Sequence, residues 1–380
     1  MLLRFRSKVF VVACVALVIA AAAGYFAAQR LRQPIVESVA IHLAQRDVTS
    51  AFHKRRLNFL VLGTQEDEGT TDTVILAHLD LDRRIATLIS VPRDAWVPIP
   101  GHGHQKINAA YAYGGGPLTA RLVGNLTGAH VDATIAIDPS GAKQIVDAMG
   151  GLNIDVERDM DYDDNFGNLH IHLKKGEQFL GGGGVLEYMR FRHDSESDFG
   201  RMRRQQQVLH EIVRELGAPQ NWPKIPRLIA LARKDVRTPL SDAQLQALVE
   251  LYRGVPADNV RTLTLPGRAD FVGDASVVLV DDWWAKIIGS LVCAPQDPPP
   301  GVVIVANATG VPSISATVVS ALRGGGWDVR TSIDEPATLL SVVTGSGLAA
   351  QRLASMFSTF ERRPGKETVL KLGTSAIPKM

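Results

Sequence analysis

The stretch Asn58-Phe-Leu-Val-Leu-Gly63 is a short apolar run closed by a glycine, and this pattern predicts a buried β-strand that ends in a turn. Two more apolar runs follow at residues 73–79 and 85–91, and both have the length of a strand. The acidic segment 65–68 separates the first run from the second. Three such runs joined by short polar loops indicate a sheet that begins at residue 57.

Polar residues stand at the ends of these predicted strands. Asp72 comes just before the second run, and Arg93 and Asp94 follow the third. Because α/β sheets place their chemistry in such loops, Asp72 and Asp94 are candidate ligands of a hard cation and Arg93 is a candidate phosphate contact. The alternative for each aspartate is a carboxylate that closes the turn or caps a helix. Further along, Lys106 and Asn108 are candidates, since helical packing accounts for the small residues after them.

Beyond residue 116 the predicted strands and helices alternate. Residues 117–126 and 139–149 have the spacing of amphipathic helices, and residues 133–137 and 153–156 have that of strands. This alternation predicts an α/β domain whose helices pack on a mixed sheet. We expect the domain to extend from residue 57 to residue 291.

The segment from Tyr188 to Gln207 concentrates five arginines and three consecutive glutamines. Arg190 and Arg192 alternate around Phe191, so on an extended strand both guanidinium groups would leave the same face. Arginine offers bidentate, permanently charged donors that match phosphate oxygens. The pair therefore predicts an anion site.

A helix is expected to start near Asp198 and Gly200, because an apolar run with helical spacing follows them. Arg201, Arg204 and Gln205 would share one face near its N-terminus, where free backbone N–H groups also attract anions. The two arginine pairs together predict phosphate binding. The alternative is a solvated basic helix start, which is the usual fate of a charge run.

The acidic run 159–164 and the two histidines His170 and His172 raise the question of calcium or zinc. The run lacks the glycine and the terminal glutamate of an EF-hand loop, and the histidines alternate on a predicted strand without a further nearby ligand. A solvated hairpin is therefore the favoured interpretation.

The amino terminus has the pattern of a membrane anchor. Three basic residues in the tail 1–8 precede the uncharged apolar run 9–28, which is long enough to cross a bilayer. The basic residues favour a cytoplasmic N-terminus and place the rest of the chain outside, after a stalk at 29–56. A cleaved signal peptide is the alternative, because small residues near the end of the run offer cleavage contexts. The predicted localisation is the cell membrane, with one span.

A second unit is predicted at residues 301–380, after a proline-rich linker at 292–300. It opens with a strand that runs into the glycine turn at Gly310 and continues with a helix and a further strand. It contains no evident nucleophile or metal cluster.

Composition excludes several classes of protein. A chain of 380 residues exceeds the usual single core, and its net charge of +2 indicates no particular partner. Its two cysteines, Cys14 and Cys293, are too few for a disulfide framework or a structural zinc site. No helix-turn-helix or P-loop motif occurs, so no nucleic-acid partner is expected, and nothing indicates a protein partner.

Together, ordered motifs between residues 57 and 291 resemble the LytR-CpsA-Psr (LCP) family. The motifs are Asn58 to Gly63, Thr71-Asp-Thr73, Ser90-Val-Pro-Arg-Asp94, Lys106-Ile-Asn-Ala-Ala-Tyr-Ala-Tyr-Gly114, the hairpin with Tyr162-Asp-Asp-Asn165 and Leu169-His170, Tyr188-x-Arg-x-Arg-His193 and Asp198-x-Gly-Arg-x-x-Arg-Gln-Gln206. The resemblance implies an α/β fold: a three-layer α/β/α domain with a central mixed sheet, after one transmembrane helix. The unit at 301–380 resembles the small α/β LytR C-terminal domain.

The resemblance also implies a function and a site. The function is a phosphotransferase that moves a glycopolymer phosphate from a polyprenyl-pyrophosphate carrier, whose tail lies in an apolar tunnel, to peptidoglycan in cell-wall assembly. Asp72 and Arg93 would be catalytic, and Mg²⁺ would be held by Asp72 and Asp94. The pyrophosphate would contact basic and amide side chains at Arg93, Lys106, Arg190, Arg192, Arg201, Arg204 and Gln206. Since all these candidates lie upstream of Gly217, we expect truncation after Pro298 to leave lipid binding and transfer largely intact.

One position departs from the family pattern. The family usually has an aspartate two residues after the glycine of the first strand, and this chain has Gln65. Loss of a carboxylate would weaken magnesium binding unless Glu66 or Asp67 replaces it. The alternative function is therefore a non-catalytic polyprenyl-phosphate-binding or regulatory membrane protein of the transcriptional-attenuator type.

Overall fold

A computed structural model describes residues 54–64, 69–165, 169–191, 197–217, 221, 224–232, 235–253 and 255–377. The predicted span at 9–28 and the segment 65–68 lie outside these ranges. In the part of the chain that the structure describes, no helix has the length and apolar character needed to cross a membrane.

Strands and helices are numbered in chain order among the described residues. The strands are β1 (Arg56–Thr64), β2 (Thr71–Asp80), β3 (Ile85–Ser90), β4 (Trp96–Ile99), β5 (Gly103–Lys106), β6 (Ala133–Ile137), β7 (Leu152–Val156), β8 (Met160–Asp164), β9 (Leu169–Leu173), β10 (Gly176–Leu180), β11 (Val236–Arg237), β12 (Val260–Thr264), β13 (Gly267–Val272), β14 (Ala275–Val280), β15 (Val302–Ala308), β16 (Asp328–Asp334), β17 (Val342–Thr344), β18 (Glu361–Arg363) and β19 (Thr368–Gly373). The α-helices are α1 (Ala110–Thr127), α2 (Pro139–Met149), α3 (Gly182–Arg190), α4 (Ser197–Gly217), α5 (Ile225–Ala232), α6 (Asp242–Arg253), α7 (Asp282–Val292), α8 (Pro312–Gly324) and α9 (Leu348–Met356).

The three apolar runs at residues 58–63, 73–79 and 85–91 form the middle of a six-stranded sheet. Its order is β11-β6-β1-β2-β3-β12. The strands β1, β2 and β3 are antiparallel, β6 is parallel to β1, β12 is parallel to β3, and β11 is antiparallel to β6. The predicted mixed central sheet is therefore confirmed. Because β2 runs antiparallel to β3, the start of β2 and the end of β3 lie at the same edge of the sheet, with Ile75 opposite Ser90.

Helices cover both faces of this sheet, because the side chains of β1 alternate between two cores. Leu60 and Leu62 face a core that includes residues of α1 and α7. Leu57 and Phe59 face a second core that includes Leu251 of α6. Burial of apolar side chains on both faces gives the first domain the predicted three layers.

A third core lies beside the sheet and supports the arginine-rich segment. It combines β7 to β10 with α2, α3 and α4, and its buried residues include Val185, Tyr188 and Phe191. The hairpin β8–β9 has the predicted position, and it pairs Asp161 with His172 and Asp163 with His170.

The expected strand at Arg190 is wrong. Arg190 is the last residue of helix α3, which begins at Gly182. Val185 and Tyr188 are buried three residues apart, as one face of a helix requires, and α3 packs on α2. A two-arginine alternation is too short a signal to outweigh that packing. Arg192 lies outside the described residues.

The second unit forms a five-stranded sheet of its own, in the order β16-β15-β19-β17-β18. Its helix α8 packs against β3, β12 and α7 of the first domain. The buried residues of both units belong to one continuous core, in which Trp284 Nε1 donates to the carbonyl oxygen of Ala376 at 2.8 Å. The effect of truncation after Pro298 on lipid binding and transfer stays a prediction, but the shared core gives a reason to expect that the first domain loses stability without the second unit.

The linker between the units is also held to the first domain. Arg83 Nη1 contacts Asp297 Oδ1 at 2.7 Å, and Arg56 contacts the same carboxylate. Both arginines are in turn bound to the buried Asp80, at 3.0 Å from Arg56 and 3.1 Å from Arg83. These ion pairs hold the proline-rich segment against the first domain.

His78 on β2 gives the fold a dependence on pH. Its Nδ1 lies 2.8 Å from Asn58 Oδ1, and burial lowers the pKa of the ring to about 4. Because the unfolded chain takes up this proton near pH 6.5, the unfolded state binds more protons between pH 6.5 and 4. The contribution of His78 to the free energy of unfolding is therefore fully present above pH 6.5. It decreases as the pH falls from 6.5 to 4, by about 3 kcal/mol in total.

We therefore expect His78→Gln to flatten the decrease in the free energy of unfolding between pH 6.5 and 4. The measurement is urea denaturation of both proteins at a series of pH values. An unchanged pH slope in the variant would mean that His78 is already charged in the folded protein.

Candidate anion-binding site

The polar turn after β3 is held rigidly by the backbone around it. The N–H of Val278 donates to the carbonyl oxygen of Asp94 at 2.8 Å, and the N–H of Asn108 donates to that of Arg93 at 3.1 Å. The N–H of Ile107 donates to the carbonyl oxygen of Ala95 at 2.8 Å. The side chains of the turn therefore start from a fixed backbone, which reduces the entropy lost when they bind a ligand.

Arg93 lies between two carboxylates. Its Nη1 donates to Asp72 Oδ1 at 2.5 Å, and its Nε lies 3.3 Å from Asp94 Oδ2. These aspartates come from different places in the chain and meet because β2 and β3 are antiparallel neighbours. Two acceptors on one guanidinium fix its plane, which is the requirement for bidentate recognition of a phosphate.

Lys106 reaches the same place from the hairpin β4–β5. Its Nζ lies 2.8 Å from Asp94 Oδ1, so Asp94 binds one cation through each oxygen. The sequence pattern did not lead us to predict this hairpin. The sequence does contain a turn signal, the two glycines Gly101 and Gly103 after Ile99. In the structure they adopt positive φ angles of 81° and 69°.

Arg201 on α4 completes the cluster. Its Nη1 lies 3.6 Å from Asp72 Oδ1, and its side chain is only 2% exposed. Arg201 lies in the second turn of α4, close to the helix start that the sequence predicts. Five of the predicted site residues thus come together: Asp72, Arg93, Asp94, Lys106 and Arg201.

The charges of this cluster favour an anion. Three cationic side chains surround two carboxylates, and Asp72, at 23% exposure, is the more accessible carboxylate. Asp94 is buried and restrains Arg93 and Lys106, whereas Asp72 stands at the open side. Such a cluster can neutralise a polyanionic group and can place a carboxylate beside it.

Arg204 takes a different place from the one predicted for it. It is fully buried, with Nη1 donating to Glu157 Oε1 at 2.8 Å and Nη2 donating to the carbonyl oxygen of Phe191 at 2.6 Å. Its guanidinium also lies 5.4 Å from the centre of the Phe191 ring. Burial alone would raise the pKa of Glu157, but hydrogen bonds from Arg203 and Arg204 lower it below its usual value. These contacts assign Arg204 to the support of Phe191, which follows α3, and of Glu157.

We expect Arg204→Met to cost about 3 kcal/mol of unfolding free energy, because it breaks a buried ion pair. Arg203→Met is the matched control, since Arg203 contacts the same Glu157 at 2.7 Å from a half-exposed position and should cost about 1 kcal/mol or less. Chemical denaturation of both variants measures the difference. Normal stability of Arg204→Met together with lost pyrophosphate binding would restore the phosphate role.

The remaining predicted contacts lie elsewhere or outside the description. The exposed Arg190 stands at the end of α3. Arg192 falls outside the described residues, as does the side chain of Gln206, whose backbone belongs to α4. Their predicted contacts with pyrophosphate stay predictions.

The predicted magnesium site fits the cluster only in part. Asp94 is a poor ligand, because both of its oxygens already face cations. Asp72 suits a hard cation better, since it is partly exposed and carries an oxygen donor. Among the described residues no group of three or more His, Cys, Asp or Glu side chains is arranged to hold a metal, and Gln65, Glu66 and Asp67 are outside them.

Known proteins are similar to the part of the chain that contains this site. The model of the LytR_cpsA_psr family matches residues 27–285. The regulatory protein MsrR of Staphylococcus aureus (strain COL) is 34% identical over 217 residues, which are 56% of this chain and 64% of MsrR. The polyisoprenyl-teichoic acid–peptidoglycan teichoic acid transferase TagV of Bacillus subtilis (strain 168) is 30% identical over 230 residues, which are 58% of this chain and 59% of TagV. The chain spans less than two thirds of the length of either relative.

Solved structures agree with the fold. The crystal structure of B. subtilis TagV superposes with a TM-score of 0.58 at 27% identity and covers 65% of this chain and 99% of that one. The structure described as TagT bound to LI-WTA has a TM-score of 0.52 at 22% identity and supports the fold alone. Since the family model matches more than half of its residues, this chain belongs to the LytR_cpsA_psr family.

Proposed function

We propose that this protein is a phosphotransferase that moves a glycopolymer phosphate from a polyprenyl-pyrophosphate carrier to peptidoglycan. The supporting observation is Arg93, clamped between Asp72 and Asp94 with Lys106 and Arg201 beside it. The similar protein TagV carries the name of a teichoic acid transferase that acts on peptidoglycan. A cluster of cations with one accessible carboxylate suits transfer of a phosphoryl group between two oxygens.

In the proposed reaction, a hydroxyl oxygen of peptidoglycan attacks the phosphorus that bears the sugar. The bond from that phosphorus to the bridging oxygen breaks, and polyprenyl phosphate leaves with the electron pair. The proton of the hydroxyl passes to a base at the site. The phosphoryl group gains charge at its oxygens during the transfer, so fixed cations stabilise the transition state more than the ground state.

In this proposal the five residues have different roles. Arg93, Lys106 and Arg201 bind the diphosphate, with Arg93 presented in a fixed plane by its two carboxylates. Asp94 restrains Arg93 and Lys106, and both of its oxygens are engaged in doing so. Asp72 is the carboxylate placed to receive the proton or to hold magnesium. The ion, when bound, would supply further neutralisation of the diphosphate.

The rest of the chain fits this proposal. We place the catalytic domain outside the cytoplasm, anchored in the cell membrane by the run 9–28, and we assign residues 301–380 to the LytR C-terminal domain. The apolar tunnel for the polyprenyl tail belongs to the same proposal.

A second candidate is a protein that binds the lipid without turnover. Two observations favour it: the similar protein MsrR is named a regulatory protein, and Gln65 stands where the family usually has an aspartate. This candidate keeps the cation cluster and the binding of the lipid, but it carries out no transfer.

One experiment separates the two candidates. The full chain in detergent is mixed with polyprenyl-pyrophosphate-linked oligosaccharide and peptidoglycan, with and without magnesium. Release of polyprenyl phosphate together with label on peptidoglycan supports the transferase. Saturable lipid binding without transfer supports the regulatory candidate, and absence of both refutes the proposed function.

A further inference from the structure

The hairpin β4–β5 links the anion site to a group of aromatic side chains, of which Trp96 is partly buried and His102, His104 and Tyr113 are exposed. Its inner face is buried, since Val97 and Ile99 belong to the main core. Trp96 stands opposite Lys106, and Pro98 stands opposite His104. Because side chains alternate along a strand, these four side chains share the outer face, and Lys106 also contacts Asp94 in the site.

Aromatic rings line this outer face and the tip of the hairpin. The rings of Trp96 and His104 stack with centroids 6.5 Å apart at 29°. At the tip, the rings of His102 and Tyr113 stack closely, 3.7 Å apart at 9°. Tyr113 is 44% exposed, although large aromatic side chains are usually buried.

Hydrogen bonds hold the distal pair in place. The hydroxyl of Tyr113 donates to Gln105 Oε1 at 2.9 Å, and Gln105 Nε2 donates to the carbonyl oxygen of His102 at 3.0 Å. Tyr113 itself stands just before the kink of α1 at Gly114 and Gly115. An exposed pair of rings that is already ordered loses little entropy on binding.

The chemistry of this surface suits a sugar chain. Planar rings offer a flat apolar surface to the C–H faces of a pyranose, and amide, imidazole and phenol groups at their edges can bond to hydroxyls. Within the hairpin, residues 96–106, Lys106 is the one side chain with a permanent charge, so this surface is poorly suited to a polyanion. From Lys106 to Gly103 the strand covers about 10 Å, so bound sugar units would lead away from the reacting phosphate.

We infer that the outer face and tip of the β4–β5 hairpin bind the glycan strand of the acceptor and deliver its hydroxyl to the anion site. This inference rests on the proposed transfer to peptidoglycan for the identity of the glycan. The surface, here called the hairpin platform, consists of Trp96 and His104 on the outer face and of His102 and Tyr113 at the tip. Gln105 stands opposite Val97 on the inner face and holds Tyr113 in place. The hairpin platform is a positioning surface and takes no part in bond making.

The first test is binding of a neutral probe, N-acetylchitotetraose, to the full chain by titration calorimetry. We expect Trp96→Ala and Tyr113→Ala each to weaken binding by roughly fivefold or more, because each removes one stacking ring. Tyr113→Phe should retain most of the binding, since the stack with His102 remains. Phe179→Ala is the matched control, because Phe179 is an exposed aromatic residue on β10, in the third core region.

The second test measures kinetics with both substrates. The platform variants should raise the KM for peptidoglycan by a similar factor and leave the KM for the lipid-linked donor unchanged. A raised donor KM would assign the platform to the donor's sugars and overturn the inference. Failure of the wild-type chain to bind the tetrasaccharide, or normal binding by both alanine variants, would also overturn it.

The two proposals fail in different ways. If the wild-type chain binds the tetrasaccharide through the platform but transfers nothing, the platform stands and the transferase proposal fails. If transfer occurs and the platform variants keep a normal KM for peptidoglycan, the transferase stands and the platform fails.

Discussion

Arg93→Ala is expected to lower the rate of glycopolymer transfer by about 100-fold or more, the effect of removing one preorganised donor from a developing negative charge. Arg93 is the centre of the cluster, with Asp72 Oδ1 at 2.5 Å and Asp94 Oδ2 at 3.3 Å. Its removal takes away a cation and also leaves both carboxylates facing the bound diphosphate. Arg93→Lys should recover only part of the activity, because an ammonium group lacks the planar fork.

The measurement is steady-state release of polyprenyl phosphate, accompanied by thermal unfolding of each variant. Arg268→Ala is the control, since Arg268 forms an exposed ion pair with Asp270 on β13 at 3.1 Å. It should leave both transfer and stability nearly unchanged. If Arg93→Ala transferred glycopolymer at the normal rate, the cluster would be a structural ion-pair network and the proposed site would be wrong.

Truncation after Pro298 is expected to destabilise the first domain by on the order of 5 kcal/mol, which is enough to unfold many domains. The second unit covers apolar side chains of α7, and Trp284, Ile288 and Leu291 are buried in the core that both units share. Exposure of each such side chain to water removes about 1.5–3 kcal/mol of stabilising free energy. We expect the truncated protein to bind an apolar dye and to unfold in less urea than the full chain.

A point substitution tests the same interface in the full chain. A Cβ atom at Gly325 would lie 1.8 Å from the carbonyl oxygen of Leu291, so Gly325→Val should force the units apart. The backbone at Gly325 has a φ of −85°, which valine tolerates, so the clash itself is what the variant measures. Gly347→Val is the matched control, because nothing lies within 4 Å of a Cβ there.

Urea denaturation of the three proteins decides the outcome. We expect Gly325→Val to lose at least about 3 kcal/mol and Gly347→Val to lose much less. Equal stability of Gly325→Val and the wild type would show that the units do not depend on one another for folding.

Local patterns in the chain were sufficient for most elements of the fold. The three apolar runs after Leu57 became β1, β2 and β3, and the runs at 133–137 and 139–149 became β6 and α2. Such segments are strongly apolar or strongly periodic, so tertiary packing reinforces the local preference. Helix α4 was also predictable, because apolar residues at helical spacing follow Gly200.

Weaker segments were decided by their neighbours. Arg190 ends helix α3 because Val185 and Tyr188 pack into the third core, and this packing overrides the alternation around Phe191. The hairpin β4–β5 escaped prediction because its strands are four residues each and its inner face has only two apolar residues. Short elements carry little local signal and depend on the surface against which they fold.

The amino-acid sequence alone specified the residue types of the site and their attachment to strand ends and a helix start. It could not determine which cations meet which carboxylates, since Asp72, Arg93, Lys106 and Arg201 come together only through antiparallel pairing, a hairpin and the packing of α4. Arg201 and Arg204 lie three residues apart on one helix, and their local sequence does not distinguish their roles. The tertiary structure directs one to Asp72 and the other to Glu157, because burial of a charge depends on the partner that another segment brings to it.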